Sequence, residues 1–215
     1  MNLEKQLLEG LEAINYDTSD RKALSTRLLQ YIALIEKWNQ VHNITAVRKP
    51  EEMISKHLLD SLTLLPYIIG HYVADVGSGA GLPGIPLAIA NPNLYVTVIE
   101  SNQKKIAFLD QARLELSLSN VKVIPARVEK YFPTQRYDTV VSRAFSDLAT
   151  FVKAAQHLCV EDGKSRLIAM KGRFPDAELM QLPENCIVER VIRVNVPGLR
   201  AARHLIIIKP EQPAH

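Results

Sequence analysis

From residue 71 onward, short β-branched runs alternate with helical stretches, and this rhythm constrains the fold more than any other feature. Tyr72–Val76, Tyr95–Ile99, Val121–Ile124, Asp138–Val141 and Arg166–Met170 have strand character. Pro83–Ala90, Gln103–Leu116, Leu148–Leu158 and Pro175–Met180 have helical character. Such alternation builds a parallel sheet with helices on both faces, because each strand must return across the sheet before the next can lie beside it. The tail breaks the pattern. Ile187–Val196 and His204–Lys209 are strand-like runs joined by Pro197-Gly198-Leu199-Arg200 with no helix between them, which predicts an antiparallel pair.

The first seventy residues read as helices. Leu24, Leu28, Ile32, Ile35 and Trp38 recur at steps of three and four, with Thr18 and Ser19 available as N-caps and Asn39 to Asn43 loosening the far end. A further helix begins near Pro50, where Glu51 and Glu52 suit its positive end, and carries Ile54, His57, Leu58 and Leu62 on a common side. The expected organisation is a helical extension, residues 1–70, packed on a sheet domain, residues 71–215. A chain of 215 residues with 47% hydrophobic and 23% charged residues accommodates this, and its composition argues against disorder, collagen and coiled coil. Two cysteines, Cys159 and Cys186, are too few for a disulfide scaffold or a closed zinc site and point to a reducing compartment. Met1 to Glu12 has no apolar core and no cleavage site. The longest apolar stretches, such as Leu62 to Ile69, fall short of the ~18 residues of a membrane span. A cytoplasmic protein without membrane or metal partners is expected.

The chemistry concentrates in Ala74-Asp75-Val76-Gly77-Ser78-Gly79-Ala80-Gly81-Leu82-Pro83-Gly84, where a strand runs into a glycine turn that opens a helix. Glycines let the main chain approach a ligand and adopt positive φ, and ligands of open parallel sheets bind beyond the carboxyl ends of strands. Glu100 ends the next strand, where an acid can accept hydrogen bonds from both hydroxyls of a ribose. Together these features point to a nucleoside-type cofactor. Gly79 to Gly84 also matches the dinucleotide G-x-G-x-x-G, a weak signal alone. However, Asp75 would place an acid close to the ligand, which suits a cationic amino-acid moiety better than a pyrophosphate. Pro83 and Pro86 also remove N–H donors that a pyrophosphate would use. S-adenosyl-L-methionine, cationic and free of phosphate, fits better than NAD.

Asp75 to Gly84 followed by Ile85-Pro86-Leu87 resembles the core of the RsmG (GidB) family, bacterial small-subunit rRNA guanine-N7 methyltransferases. The likeness spans nearly the whole chain. It takes in Lys37-Trp38-Asn39 with Asn43-Ile44-Thr45, His57-Leu58-Leu59-Asp60-Ser61, Ala126-Arg127-Val128-Glu129, Ser142-Arg143-Ala144-Phe145, Met170-Lys171-Gly172 and Arg203-His204-Leu205. The resemblance implies an α/β class I methyltransferase fold, Rossmann-like, with seven strands of which the last is antiparallel. It implies cofactor contacts at Gly77, Leu82, Val128, Glu129 and Arg143, with Glu100 on the ribose; Asp75, Ser78 and Gly79 of the same turn are expected to bind the cofactor as well. The implied substrate is a guanosine in the 530-loop region of 16S rRNA, presented as naked RNA, as the small ribosomal subunit or as its assembly intermediate. A monomer is expected.

Guanine N7 carries an in-plane lone pair and no proton, so attack on a sulfonium methyl is a direct displacement that needs no general base. No catalytic acid–base pair stands out in the sequence, in keeping with positioning alone. Competing methylations lack their marks. An Asn- or Asp-Pro-Pro-aromatic turn for exocyclic amines is replaced by Ser142 to Phe145, and neither cysteine follows the proline typical of cytosine C5 chemistry.

Several residues have two readings. Arg143 contacts cofactor or RNA, which the motif favours, or pairs at the surface with Asp138 or Asp147. His57 with Asp60 suggests a metal or a proton relay, but a helix-face histidine is the simpler reading. Trp38 ends an apolar stripe and reads as core rather than as a stacking platform. Lys171 lines the substrate side or is a solvated loop lysine; Asn43 caps a turn or touches the base. Residues 1–70 carry a net −1 and the remainder +4. Arg190, Arg193, Arg200, Arg203 and Lys209 lie in a stretch with no acid. Arg200 and Arg203 are the candidates for RNA contact. The alternatives are a methyltransferase acting on a small molecule or protein, a non-catalytic RNA-binding or ribosome-assembly factor, and an NAD-dependent oxidoreductase.

Overall fold

The computed structural model describes residues 2–16, 18, 20–143, 145–161, 163–183 and 186–210. Ser19 and Ala144, both named above, lie outside the described residues.

The front end is helical. In α1 (Leu3–Ala13) the Asn2 side chain caps the first turn by accepting from the Glu4 and Lys5 amides. The cap of α2 (Arg21–Asn39) is Asp20, which accepts the Ala23 N–H at 2.8 Å. It replaces the expected Thr18, whose hydroxyl instead accepts from the Asp20 amide; a carboxylate two residues further on suits the helix's positive end better. Leu24, Leu28, Ile32 and Ile35 are buried, and Trp38 is half-buried with its ring edge-on to Phe108. The helix stops where the Asn39 side chain turns back to accept from Ile44 and Thr45.

The next helical segment departs from the regular helix that its apolar spacing predicts. It runs as α3 (Pro50–Met53), a π-helical stretch Ile54–Leu59 and α4 (Asp60–Leu62). Burial extends around most of it, taking in Ser55, His57 and Asp60 as well as the apolar residues. On one side α1 lies so close that Gly10 packs directly against Leu59. A short 3-10 turn, Leu65–Tyr67, leads to the sheet.

Seven strands, β1 (Tyr72–Val76), β2 (Tyr95–Glu100), β3 (Val121–Pro125), β4 (Thr139–Ser142), β5 (Arg166–Lys171), β6 (Cys186–Val194) and β7 (Arg203–Pro210), form one sheet in the order β3-β2-β1-β4-β5-β7-β6. The first five are mutually parallel. β7 runs antiparallel to both β5 and β6, as the helix-free tail requires. Between them lie α5 (Gly84–Ala90), α6 (Gln103–Glu115), α7 (Leu148–Ala155) and α8 (Asp176–Leu179).

Alternation along β1 sends Val73 to one face and Ala74 and Val76 to the other. The first face shares a single core with the front helices, α5 and α6; the second packs on Phe151 and Val152 of α7. Strand order reverses between β1 and β4, which opens a crevice at their carboxyl ends, the ligand position of doubly wound sheets. No helix of the described residues is long and apolar enough to cross a membrane.

A side chain at residue 10 would collide with Leu59. Gly10→Val should therefore destabilise the protein by about 1–3 kcal/mol, read as a lower urea midpoint at unchanged slope; an unchanged midpoint would refute the tight α1 contact.

Candidate functional site

Two cavities open at the carboxyl ends of the strands, one on either side of the loop that follows β4. The first, about 160 Å³, is walled by Gly77, Glu100, Val128, Glu129 and Phe145 among others. Four of the residues expected to contact the cofactor thus come together from three separate crossings of the sheet. Gly77 sits at φ +68°, and a Cβ placed on it would meet nothing within 4 Å, so the backbone leaves an open cradle. Glu100 is nearly buried. Its Oε1 accepts from Ser101 (2.8 Å) and Asn102 (2.9 Å), and its Oε2 accepts from Gly79 (2.9 Å). A carboxylate offers about four acceptor positions, so capacity for a ribose hydroxyl remains.

The turn's own donors are directed inward. Gly77 and Ser78 donate to the Ile99 carbonyl, Gly81 and Leu82 to Ser78, and Ile85 to Gly81. Gly84 donates to Asp75 Oδ2 at 2.8 Å, and residue 86 is proline. The first turn of α5 therefore presents no free N–H among residues 84–86 to a pyrophosphate, which is the requirement of dinucleotide sites.

Asp75 does not line the cleft. It is fully buried beneath the turn, where a Cβ on Gly84 would come within 2.8 Å of its Oδ2, and its Oδ1 has no hydrogen-bond partner. Ser78 is also buried, donating to the Asp75 carbonyl, and Leu82 packs into the core. A residue not singled out from sequence completes the support: buried Tyr31 of α2 donates its hydroxyl to the Ala80 carbonyl. Its position, three residues after Leu28 and four before Ile35, placed a phenol on an apolar stripe, and a buried phenol needs a partner.

The second cavity, about 380 Å³, includes Thr45, His57, Asp60, Arg143, Lys171 and Arg203 in its wall. Asp60 is 1% exposed. It accepts from Arg203 Nε at 3.0 Å and lies 3.6 Å from Arg143 Nη1, which also donates to the Lys56 carbonyl. Burial raises the Asp60 pKa, and the two arginines oppose that shift. Both surface partners expected for Arg143 are otherwise engaged. Asp138 accepts from the His71 and Tyr72 amides, and Asp147 caps α7. Arg143 thus faces the second cavity, and Phe145, two residues on, faces the first.

Lys171 is tied to Glu178 at 2.7 Å and lies 3.4 Å from the Phe145 carbonyl, so it is not a freely solvated lysine. His57, set aside as a helix-face residue, is buried in the cavity wall with Nε2 2.9 Å from the Thr45 hydroxyl. Burial and then Arg143 lower its pKa to about 4, leaving the ring neutral at pH 7.

The remaining candidates lie outside both cavities. Asn43 is exposed and accepts from Arg48, while Asn39 holds the turn. Arg200 is exposed at the β6–β7 connection. Cys159 is buried, which pushes its thiol up to about 12, and Cys186 donates to the Pro183 carbonyl. Among the described residues no group of three or more His, Cys, Asp or Glu could hold a metal ion.

Burial raises the Asp75 pKa to about 7, against 3.8 in an unstructured chain; the Gly84 N–H pulls the other way. Between these values the folded state binds the extra proton, so this group's contribution to stability declines as pH rises from about 4 to about 7. Asp75→Asn can keep the Gly84 contact and removes that slope. The melting temperature of the wild type, relative to the variant, should fall between about pH 4.5 and pH 7.5; parallel profiles would exclude a neutral carboxyl here.

The family model for rRNA small subunit methyltransferase G, GidB, matches residues 24–206. A protein of Nitrosomonas eutropha named ribosomal RNA small subunit methyltransferase G is 57% identical over 210 residues, covering 97% of this chain and 98% of the relative. Two solved structures show the same fold at low identity. TrmN from Thermus thermophilus has a TM-score of 0.57 and 17% identity, covering 73% of this chain and 53% of that one. A mutant of MtNAS in complex with S-adenosylmethionine has a TM-score of 0.56 and 18% identity, covering 98% and 88%. The sheet, with its antiparallel last strand, is that of class I methyltransferases, and the chain belongs to the rRNA small subunit methyltransferase G family.

Proposed function

We propose that the protein transfers a methyl group from S-adenosyl-L-methionine to N7 of a guanosine in the 530-loop region of 16S rRNA. The observation that carries this reading is the pairing of two cavities at the β1/β4 reversal, within a chain of this family. One is a glycine-cradled cleft with a carboxylate at its rim, and the other is a donor-rich cavity beside it.

The cleft fits the cofactor through the open space over Gly77 and the unused acceptor capacity of Glu100. Gly77, Glu100, Val128 and Glu129 would hold it. Asp75, Ser78, Gly79 and Leu82 shape the turn, and Arg143 stands where the two cavities meet. Bound there, S-adenosylmethionine supplies an electrophilic methyl group. The absence of free donors at the start of α5 weighs against the NAD reading.

The protein's task is then geometric. N7 has no proton to lose, so the transfer asks for no proton acceptor, and His57, whose pKa burial lowers to about 4, would be a weak one. Holding the reacting atoms in line can itself supply ~7–11 kcal/mol in favourable cases. Lys171 and Arg203 would receive the nucleotide, and exposed Asn43 and Arg200 the surrounding RNA in the cytoplasm.

The direct test is nucleoside mass analysis of 16S rRNA from a strain lacking the gene, which should show one 7-methylguanosine fewer. An unchanged level would defeat the reading and leave an assembly factor or another substrate. For RNA contact, Arg200→Glu is the clean variant, because reversing Arg203 would set a second carboxylate against Asp60. The substitution should weaken rRNA binding and flatten its salt dependence by ~0.7 log units per lost contact, with cofactor affinity unchanged; unaltered RNA affinity would remove Arg200 from the interface.

A further inference from the structure

We infer that the groove at the amino ends of β1, β2 and β3 is a remote RNA-binding site, in which unpaired bases of the rRNA stack on Tyr95 and Phe132 while Lys122 meets an adjoining phosphate. The inference rests on the rRNA part of the reading above and places a further contact at the opposite end of the sheet from both cavities.

The groove follows from the connection between β3 and β4. Parallel strands are covered on both faces by crossover helices, but this crossover holds only a 3-10 turn, Val128–Lys130, and an irregular segment leading to Tyr137. Tyr72 pairs with Tyr95, and Thr97 with Lys122. Alternation from Ala74 and Val76 therefore puts all four on the face that α7 covers elsewhere. At the strand starts the wall is made of strands and loops, and a cavity of about 450 Å³ remains.

Five aromatic residues gather in that wall, Tyr72, Tyr95, Tyr131, Phe132 and Tyr137, in a chain with seven tyrosines, five phenylalanines and one tryptophan. The Tyr95 ring lies on Tyr72 with centroids 5.4 Å apart at 21°, yet Tyr95 is 57% exposed. Phe132 is 76% exposed, and its ring is backed by His157. A solvent-facing ring already held by a second ring loses little freedom when a base covers it, and every base has a π-face to offer.

Charge favours RNA over protein as the occupant. Among the described residues of the wall Lys122 is the one charged side chain, and it has no ion-pair partner. β3 is the outer strand of the sheet, with Lys122 near its start and Arg127 just past its end in the wall of the smaller cleft. Both are exposed, and neither has an acidic partner among the described residues. Glu129, the acid of this stretch, lies in the wall of the cofactor cleft instead, and Arg136 is neutralised by Glu161. Aromatic platforms beside unpaired cations are the means by which single strands are held. The five residues of β1 set the groove roughly 16 Å from the glycine turn, so its occupant acts on binding and not on the reacting atoms.

Affinity of the full chain for a 16S rRNA transcript tests this, with the small ribosomal subunit as a parallel ligand and melting temperature as the check on folding. Tyr95→Ala and Phe132→Ala should each weaken transcript binding about 5- to 100-fold, whereas Tyr95→Trp should retain it. Lys122→Gln should lower the slope of log affinity against log salt by ~0.7. S-adenosylmethionine affinity and kcat at saturating RNA should keep their wild-type values while KM rises. Unchanged transcript affinity in the variant carrying both alanines would overturn the inference. A loss confined to the small subunit would overturn it too, and would give the groove to a ribosomal protein. A wild-type protein that shows this binding pattern yet forms no 7-methylguanosine would defeat the functional reading and leave the groove assigned to RNA.

Discussion

The carboxylate of Asp60 is withdrawn from water and held between two guanidinium groups that arrive from the strands on either side of β5. Arg143 follows β4 and Arg203 begins β7, while Asp60 itself belongs to the front helices. A buried charge of this kind is tolerable only while its partners stay in place, and removing one partner from a buried pair typically costs about 3–5 kcal/mol. The same pairing aligns the walls of the larger cavity. One acid thus ties the front helices to the carboxyl end of β4 and the start of β7, beside the core they share with the sheet, and holds two cations in the cavity wall.

The smaller cleft obeys a complementary rule. Its glycine turn closes on itself, with backbone donors directed to Ile99, Glu100, Ser78 and Asp75 and with Tyr31 supporting it from below. What remains available to a ligand is open space over Gly77 and acceptor capacity at Glu100. A surface built in this way suits a ligand that offers hydroxyls and positive charge, and gives a phosphate little to bind. The two cavities thus divide the chemistry, acceptors on one side of the β4 loop and donors on the other, with Phe145 and Arg143 at the boundary.

Local and periodic features were legible in the sequence. The five parallel strands, the antiparallel tail and the glycine turn follow from alternation, from missing crossover helices and from residue types that tolerate positive φ. Of the cofactor residues that the resemblance implies, Gly77, Glu100, Val128 and Glu129 converge on one cleft, whereas Leu82 packs into the core and Arg143 faces the second cavity. Long-range pairings were not legible. The alternative reading of Arg143 looked to acids nearby in the chain, Asp138 and Asp147, yet its acidic partner Asp60 lies far upstream. His57 shares a side with Ile54, Leu58 and Leu62 in the sequence and is buried, but no spacing could show that Asp60 is buried between two distant arginines. Asp75 was expected close to the ligand, but its carboxyl is sealed beneath the glycines, which alternation along a five-residue strand could not show.

The placement of β7 has a consequence for the order in which the molecule can be completed. β7 lies between β5 and β6, and β6 pairs with no other strand. While the chain is being synthesised, β6 therefore has no edge to join until the last strand has emerged, and Asp60 lacks its Arg203 partner for the same interval. Contacts so distant in sequence form late. The larger cavity is consequently finished only when the C-terminal strand threads into place, so that a nascent or C-terminally shortened chain carries the glycine turn but not the finished pocket beside it.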